Sequence, residues 1–541
     1  MPKNFTRLFN QDFSDLDAAI SSWKKLAEAL GTTQTDSGKR VTGPLRKAGW
    51  SGVSATYGFE AMEATESKLG TARLNVQLIA TTLAALQTKM QAAKRKLRNA
   101  VADAEEAGHK VRDDGWVEPK QAVDAKYHND GDYEDLQQQA NAGLGGFRAR
   151  IEDALSDADT ASYEAAELLH QIDPFDLDKR HGGTSAQEDA GRVAEFAGIN
   201  KKDIPDGKNP KEAAEWWARL DDDRQNFYLA AFPDQIGALD GLPATARDQA
   251  NRTTLDIQLN DYAMRESGLG FHDRSSYRSL STLKDRLERA ETGPAYKQLY
   301  LLGISMEGDG RAIVAIGNPD TAKHTAVQVP GTANQLDNFG GQIERASKLQ
   351  DAAKARATGG DNDVSVISWL DYNAPELNVS RPREFEMNLG IATDGRAADG
   401  AEDLRGFTHG LRAAHQGERT HLTVLAHSYG STTAGAADAG GNGLDADDMV
   451  VLGSPGLTVK RADELQIDPT RLWVGAAADD RVSNWASDLS LGADPKKPEF
   501  GAQRMYVDTS GHNGYWNDGS QSLENQGRII VGKTPKNGSI G

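Results

Sequence analysis

Ser428 stands in the run Ala426-His427-Ser428-Tyr429-Gly430-Ser431. An apolar stretch, Leu422 to Ala426, precedes it, and small residues follow as far as Ala439. A serine with small residues two before and two after it suits a sharp strand–turn–helix, where a strained backbone exposes the hydroxyl as a nucleophile. Glycine is the usual first small residue; here Ala426 fills that place. A serine that merely caps a helix is the plainer account of the same residues. A nucleophilic hydroxyl needs a base, and the base needs an acid to orient it. His512, in Ser510-Gly511-His512-Asn513-Gly514-Tyr515-Trp516, is the one histidine C-terminal to His427. The acid is sought in Gly475 to Val482. Asp480 is preferred to Asp479 because it directly precedes Arg481-Val482; Asp488 and Asp508 are weaker rivals. The chain order is then Ser, Asp, His, one of the known orders for this chemistry. The oxyanion of an acyl reaction needs two backbone N–H donors. Tyr429 supplies one, and Thr332, in the run Val329 to Gln335, is the candidate for the other. Gly331 allows close backbone approach there, although a Pro-Gly turn leading into a helix also explains the run. His427 is expected on the opposite side of the strand, packed.

These residues need a frame. From residue 298, short β-branched runs alternate with helical stretches. Eight strands are expected, at Tyr300–Ile304, Ala312–Ile316, Thr325–Val329, Val364–Trp369, Leu422–Ala426, Met449–Leu452, Arg471–Val474 and Arg504–Val507. Helices are expected over Leu336–Lys354 and Ala398–Ala414. Apolar strands alternating with helices mean an α/β domain with a mostly parallel, buried sheet. Loops at the carboxyl ends of such strands are where ligands bind. The loop Trp369 to Pro375 lies beside the expected pocket, to shape it or merely to cap the sheet.

The first ~170 residues read as helix. Phe13, Leu16, Ile20, Trp23 and Leu30 form one apolar stripe, and Val76, Ile79, Leu83, Leu86, Met90, Ala93, Leu97 and Ala100 form another. Gly49-Trp50-Ser51-Gly52 breaks the chain between them, which suggests an antiparallel hairpin. The expected division is a helical domain over 1–170, a linker over 171–209 with a short helix near Ala190–Phe196, attached helices over 210–297, and a catalytic domain over 298–541.

Composition narrows the function classes. The formal charge of the 541 residues is −19, which argues against a broad nucleic-acid or anionic-membrane footprint. There is no cysteine, so disulfides, thiolate metal sites and cysteine nucleophiles are excluded. No apolar run reaches transmembrane length, and the first 30 residues lack the pattern of a secretory signal peptide. The expected location is the cytoplasm, or outside by a route without a cleaved signal. Lys94-Arg95-Lys96 reads as a solvated helix face. Gly435 to Gly443 lacks the end of a phosphate loop, so nucleotide binding is rejected. Asp445, Asp447 and Asp448 read as a solvated turn rather than a cation site. Neither a metal nor an organic cofactor is expected.

Taken together the motifs resemble an actinobacterial α/β-hydrolase domain family of unknown function. The resemblance rests on Trp216-Trp217, the turn from Ile236 to Pro243, and Ala246-Arg247-Asp248-x-Ala250-Asn251-Arg252. Pro330-Gly331-Thr332, the Ser428 run and His512-x-x-Tyr515-Trp516 complete it, over residues ~210–533. It implies an α/β-hydrolase fold with a mostly parallel eight-stranded sheet behind an all-α N-terminal half, and a Ser428, Asp480, His512 triad. It implies no substrate. Trp50-Ser51-Gly52 is similar to the turn of WXG-type hairpins of type VII secretion, and Tyr163-Glu164-Ala165-Ala166-Glu167 fits the tyrosine–acid signal of that system. A core tryptophan and a chance match explain those two motifs equally well. The expected function is hydrolysis of carboxylic esters, such as lipid or cell-envelope acyl esters, with a helical partner or secretion machinery as a further contact. Two alternatives stand: acyl transfer, and a partner-binding protein whose hydrolase scaffold is weak or inactive.

Overall fold

The structure is a computed structural model. It describes the chain apart from residues 1–3, 43, 46–47, 49, 51–52, 121–123, 125, 127, 173–185, 265–270, 292, 375–394, 486–490 and 537–541. The chain divides into two compact units, Met1–Thr33 with Leu69–Asn200, and Gln34–Lys68 with Lys201–Gly541.

The first unit draws on helices α1 (Phe5–Asn10), α2 (Ser14–Ser37), α3 (Val53–Glu106), α4 (Tyr133–Asn141), α5 (Leu144–Gln171) and α6 (Ala186–Phe196). The expected apolar stripe of α3 supplies Ala93, Leu97 and Ala100, which pack with Phe5, Leu8, Ile151 and Leu155. The start of the chain runs antiparallel to α3. Gln87 donates to Asp17 (2.6 Å), and Arg98 donates to the carbonyl of Phe9 (3.2 Å). One feature was absent from the all-helical expectation. Strands β1 (Lys110–Val111) and β2 (Val117–Glu118) pair antiparallel. Gly115, at φ 84°, makes the turn, and the Arg148 guanidinium stacks 3.7 Å from the Trp116 ring. Of the Gly49–Gly52 break, which belongs to the second unit, only Trp50 lies among the described residues. It is 38% exposed, and its ring packs on Phe59.

The second unit continues with α7 (Pro210–Arg219), α8 (Asp222–Ala231), α9 (Pro233–Ala238), α10 (Ala244–Met264) and α11 (Phe271–Glu291). The sheet strands follow as β3 (Leu299–Ser305), β4 (Arg311–Ile316), β5 (His324–Val329), β6 (Val364–Leu370), β7 (His421–His427), β8 (Asp448–Leu452), β9 (Leu472–Gly475) and β10 (Gln503–Arg504). Between and after them lie α12 (Phe339–Lys354), α13 (Gly395–Ala414), α14 (Tyr429–Ala439), α15 (Arg481–Trp485) and α16 (Gln521–Ile530). The strand order is β3-β4-β6-β5-β7-β8-β9-β10. β4 is antiparallel to both β3 and β6, and every other pair is parallel. This is the α/β-hydrolase fold with its mostly parallel eight-stranded sheet. Every residue of β6 and β8 is buried, because helices cover both sides of the sheet. Each expected strand is present, with one correction. The eighth leaves the sheet early, since Met505 N still donates to Val474 O but Tyr506 N turns to Lys536 O.

The Ala246–Arg252 motif acts at the sheet edge. An edge strand exposes unpaired N–H and C=O groups, and side chains of α10 satisfy them here. Asp248 accepts from Leu301 N (2.6 Å), Asn251 donates to Leu301 O (3.0 Å), and Arg252 donates to Leu299 O (3.0 Å). Asn251 also donates to Gly237 O. Asn251→Ala leaves two buried carbonyls without that donor and is expected to lower stability by about 1–3 kcal/mol. Urea unfolding of the full chain checks this, and an unchanged midpoint contradicts the edge-capping role.

Candidate active site

Strand register brings the loops of interest to one end of the sheet. Val329 pairs with Ala426, His427 with Leu452, and Leu452 with Gly475. The chain beyond these residues carries Thr332, Ser428 and Asp480 respectively.

Ser428 is the single residue between β7 and α14. Its backbone sits at φ 54°, ψ −131°, a region that costs a non-glycine residue roughly 1–3 kcal/mol. The surroundings hold it there. Its N–H donates to Leu452 O (3.0 Å), and its own carbonyl accepts from Ser431 N (2.9 Å) and Ser431 Oγ (2.6 Å). A Cβ at Gly430 would lie 2.6 Å from the carbonyl oxygens of both Val329 and Pro330, and one at Gly331 would lie 2.6 Å from Ser428 Cβ. The turn and the β5 loop therefore touch where only glycine fits. Tyr429 opens α14, so its amide lies at the positive end of the helix. Thr332 lies half-buried in the facing loop.

Asp480 and His512 meet across two loops. His512 Nδ1 lies 2.9 and 3.0 Å from the two carboxylate oxygens of Asp480, which is fully buried. Asp480 also accepts from Tyr515 Oη (2.5 Å), Val482 N (2.9 Å) and Ser483 N (3.4 Å). Burial raises this carboxyl, but the hydrogen bond and charge of His512, with Tyr515 and Ser483, outweigh it and leave Asp480 below the ordinary carboxylate range. The Tyr515 hydroxyl in turn accepts from Ala477 N (3.1 Å), which leaves its proton for Asp480. Asp479 is exposed and accepts from Gly511 N (2.7 Å), so it ties down the His512 loop and does not touch the ring. Asp508 accepts from the first amides of α16, Gln521 N and Ser522 N. Asp488 lies outside the described residues.

The expectation for His427 needs correction. It is packed, yet it does not face away from the site. Its ring lies 4.5 Å from that of His512 and 5.0 Å from that of Trp516, and its Nε2 donates to His512 O (2.8 Å). Burial, then the charges of His512 and Arg345, hold its pKa well below the usual value, so it stays neutral. Tyr515 and His427 are the site residues whose parts the sequence did not reveal. Only the three-residue spacing from His512 to Tyr515 hinted at the first.

Other candidates settle differently. Lys94 donates to Gln11 O and Lys96 pairs with Asp157 on the helix surface. Asp445 is exposed, as a solvated turn would have it, and Asp447 half-buried; both pair with Arg412 and Arg419, whereas Asp448 is buried and binds His421 and Trp473 Nε1. Among the described residues no group of three or more His, Cys, Asp or Glu side chains is arranged to hold a metal ion. Tyr372, from the loop after β6, stacks on Trp369 and donates to Pro330 O (2.6 Å), so that loop braces the β5 loop from below its turn.

Residues 306–490 match a family model described as alpha/beta hydrolase. The match takes in Thr332, Ser428, Tyr429 and Asp480, and it ends before His512. An uncharacterized protein of Mycobacterium tuberculosis is 33% identical over 380 residues, 61% of this chain and 56% of the relative. An uncharacterized protein of Mycobacterium bovis is 26% identical over 247 residues, 44% of this chain and 82% of the relative. The chain thus spans about half the length of the first of these relatives. The similarity is to an actinobacterial α/β-hydrolase family without an assigned function, and it supports a hydrolase scaffold. No helix among the described residues is long and apolar enough to cross a membrane.

Tyr515→Phe removes a donor to Asp480 and leaves the buried Ala477 N–H without its acceptor. It is expected to lower stability by about 1–3 kcal/mol. The sign with pH follows from the depressed Asp480. The stability it contributes is present above the unfolded carboxylate value, about 3.9, and is lost as pH falls through the lower folded value. Losing Tyr515 should therefore narrow the acid-stable range. Thermal midpoints between pH 3 and 7 check this, and identical acid limbs for parent and variant contradict it.

Proposed function

We propose that the chain is a serine hydrolase that cleaves carboxylic esters through Ser428, His512 and Asp480. Ser428 Oγ attacks the acyl carbonyl carbon while His512 Nε2 takes the hydroxyl proton. Asp480 holds the Nδ1 proton and stabilises the imidazolium that forms. The amides of Tyr429 and Thr332 receive the negative charge of the tetrahedral oxygen. His512 then gives its proton to the leaving alcohol, and water repeats the sequence to release the acid and free Ser428. One observation carries this reading: a serine held at φ 54° on a turn that follows a central parallel strand, with an Asp480-paired imidazole on a loop at the same sheet end. Such strain persists only where its surroundings over-determine it, and it gathers at sites of reaction. His427 and Tyr515 belong to the support of this arrangement, holding the His512 loop and the Asp480 carboxylate.

The substrate class we favour is an acyl ester of lipid or cell-envelope origin, with export by a type VII-like route as part of the same proposal. Two motifs support the export part. Trp50 sits in the break before α3, and Tyr163, three residues before Ala166-Glu167, is 69% exposed on α5. We propose the same division for the working protein: a helical domain over 1–170, a linker over 171–209, attached helices over 210–297 and a catalytic domain over 298–541.

A fluorophosphonate probe on the purified full chain tests the reading, followed by a panel of aryl esters of increasing acyl length. The parent protein is expected to label, and Ser428→Ala is not. Ser428→Ala should lower ester turnover by about 10⁴-fold or more, and Asp480→Asn by a comparable factor. A folded parent that neither labels nor turns over any ester rejects the hydrolase reading and favours partner binding by the helical half.

A further inference from the structure

The loop after β5 carries the second donor of the proposed oxyanion hole, and four successive carbonyls of that loop are gripped by side chains. Pro330 O accepts from Tyr372 Oη (2.6 Å), and Ala333 O accepts from Asn338 Nδ2 (2.8 Å). Between them, Asn334 Nδ2 donates to both Gly331 O (2.8 Å) and Thr332 O (3.1 Å). A peptide unit is planar and trans, so the C=O of one residue and the N–H of the next point in opposite directions. The bond from Asn334 to Gly331 O therefore fixes the direction of the Thr332 N–H.

Asn334 can do this in one orientation only. Its NH₂ must face the two carbonyls, which turns its Oδ1 away toward a donor. Gln342 Nε2, on α12, is that donor. The Oε1 of Gln342 then accepts from Gln328 Nε2 (2.8 Å). Gln328 stands one residue before the end of β5, and both glutamines are buried. Each amide sets which way round the next must lie, starting from Asn334, which its two carbonyls fix, and ending at Gln328, whose Oε1 is buried without a hydrogen-bond partner among the described residues. The relay runs from a central strand, through a helix, to the loop beside Ser428. Apolar side chains of similar volume would fill the same space without burying amides, so packing alone does not account for three in series.

We propose that Asn334 is a positioning residue, oriented by Gln342 and Gln328, that aims the Thr332 N–H at the oxyanion. The inference rests on the serine-hydrolase reading above. A donor that is misaimed weakens the transition state more than the bound ester, so turnover should fall while KM holds. Losing one oxyanion donor lowers kcat about 10²–10³-fold in acyl-transfer enzymes.

The test uses the full chain with Asn334→Ala, Gln342→Met and the double variant, assayed for kcat and KM on an aryl ester that the parent hydrolyses, with thermal midpoints alongside. Asn334→Ala is expected to lower kcat about 10²-fold and to leave KM within about threefold. Gln342→Met should lower kcat about tenfold, and the double variant should be no worse than Asn334→Ala, because residues that act as one unit are not additive. Should Asn334→Ala be unfolded at the assay temperature, Gln342→Met decides alone. An active parent whose Asn334→Ala keeps kcat within about threefold overturns the positioning role and leaves the hydrolase reading intact. So do single effects that multiply in the double variant. A parent that neither labels with a fluorophosphonate nor hydrolyses esters overturns both together.

Discussion

A side chain at position 430 would drive its Cβ to 2.6 Å from two carbonyl oxygens of the β5 loop, and one at 331 would strike Ser428 itself. This mutual approach of two backbone turns is the constraint on which the site depends. It is possible because β5 and β7 are direct neighbours in the sheet, paired in register up to Val329 and Ala426. It compels Ser428 into a backbone region that a serine would otherwise leave. The remaining elements make that contact durable. Helix α14 continues from the turn, the carbonyl of Leu452 on β8 takes the Ser428 amide, and Tyr372 grips the opposing loop at Pro330.

A second layer works by hydrogen bonds between loops that are far apart in sequence. Asp480 comes from the loop after β9, and His512 from the chain beyond β10. The carboxylate gathers an imidazole, a phenol and two amides, which more than offsets the cost of its burial and keeps it ionised. His427 does the complementary work from the strand before the turn. Neutral and buried, it donates to the backbone of His512 and lies against its ring. The strand that leads into Ser428 thus helps to place His512. Preorganisation of this kind is what acyl-transfer chemistry asks of a protein, since donors fixed before reaction need no rearrangement as charge develops.

Much of this was legible from sequence, for definable reasons. The central strands of the sheet are buried on both faces, so they read as short, largely apolar runs, and their ends located the loops that bear Ser428, Asp480 and Thr332. What could not be read depends on contacts between distant residues. Nothing local to His427 says that a loop 85 residues later will lie on its ring. Nothing in Asn334 announces a link to α12. The Ala246–Arg252 run was conspicuous as a motif, but its task of satisfying an edge strand at Leu299 and Leu301 exists only once the sheet is built. The β1–β2 pair, two residues to a strand, is too short to show any period.

Hydrolysis by the proposed route passes through a covalent acyl bond to Ser428. Rapid mixing of the full chain with a p-nitrophenyl ester, acid quenching and peptide mass mapping test it most directly. A burst of nitrophenol and an acyl adduct on the peptide that contains Ser428 are expected. An adduct on a different residue, or the same burst and turnover from Ser428→Ala, would contradict the proposed route.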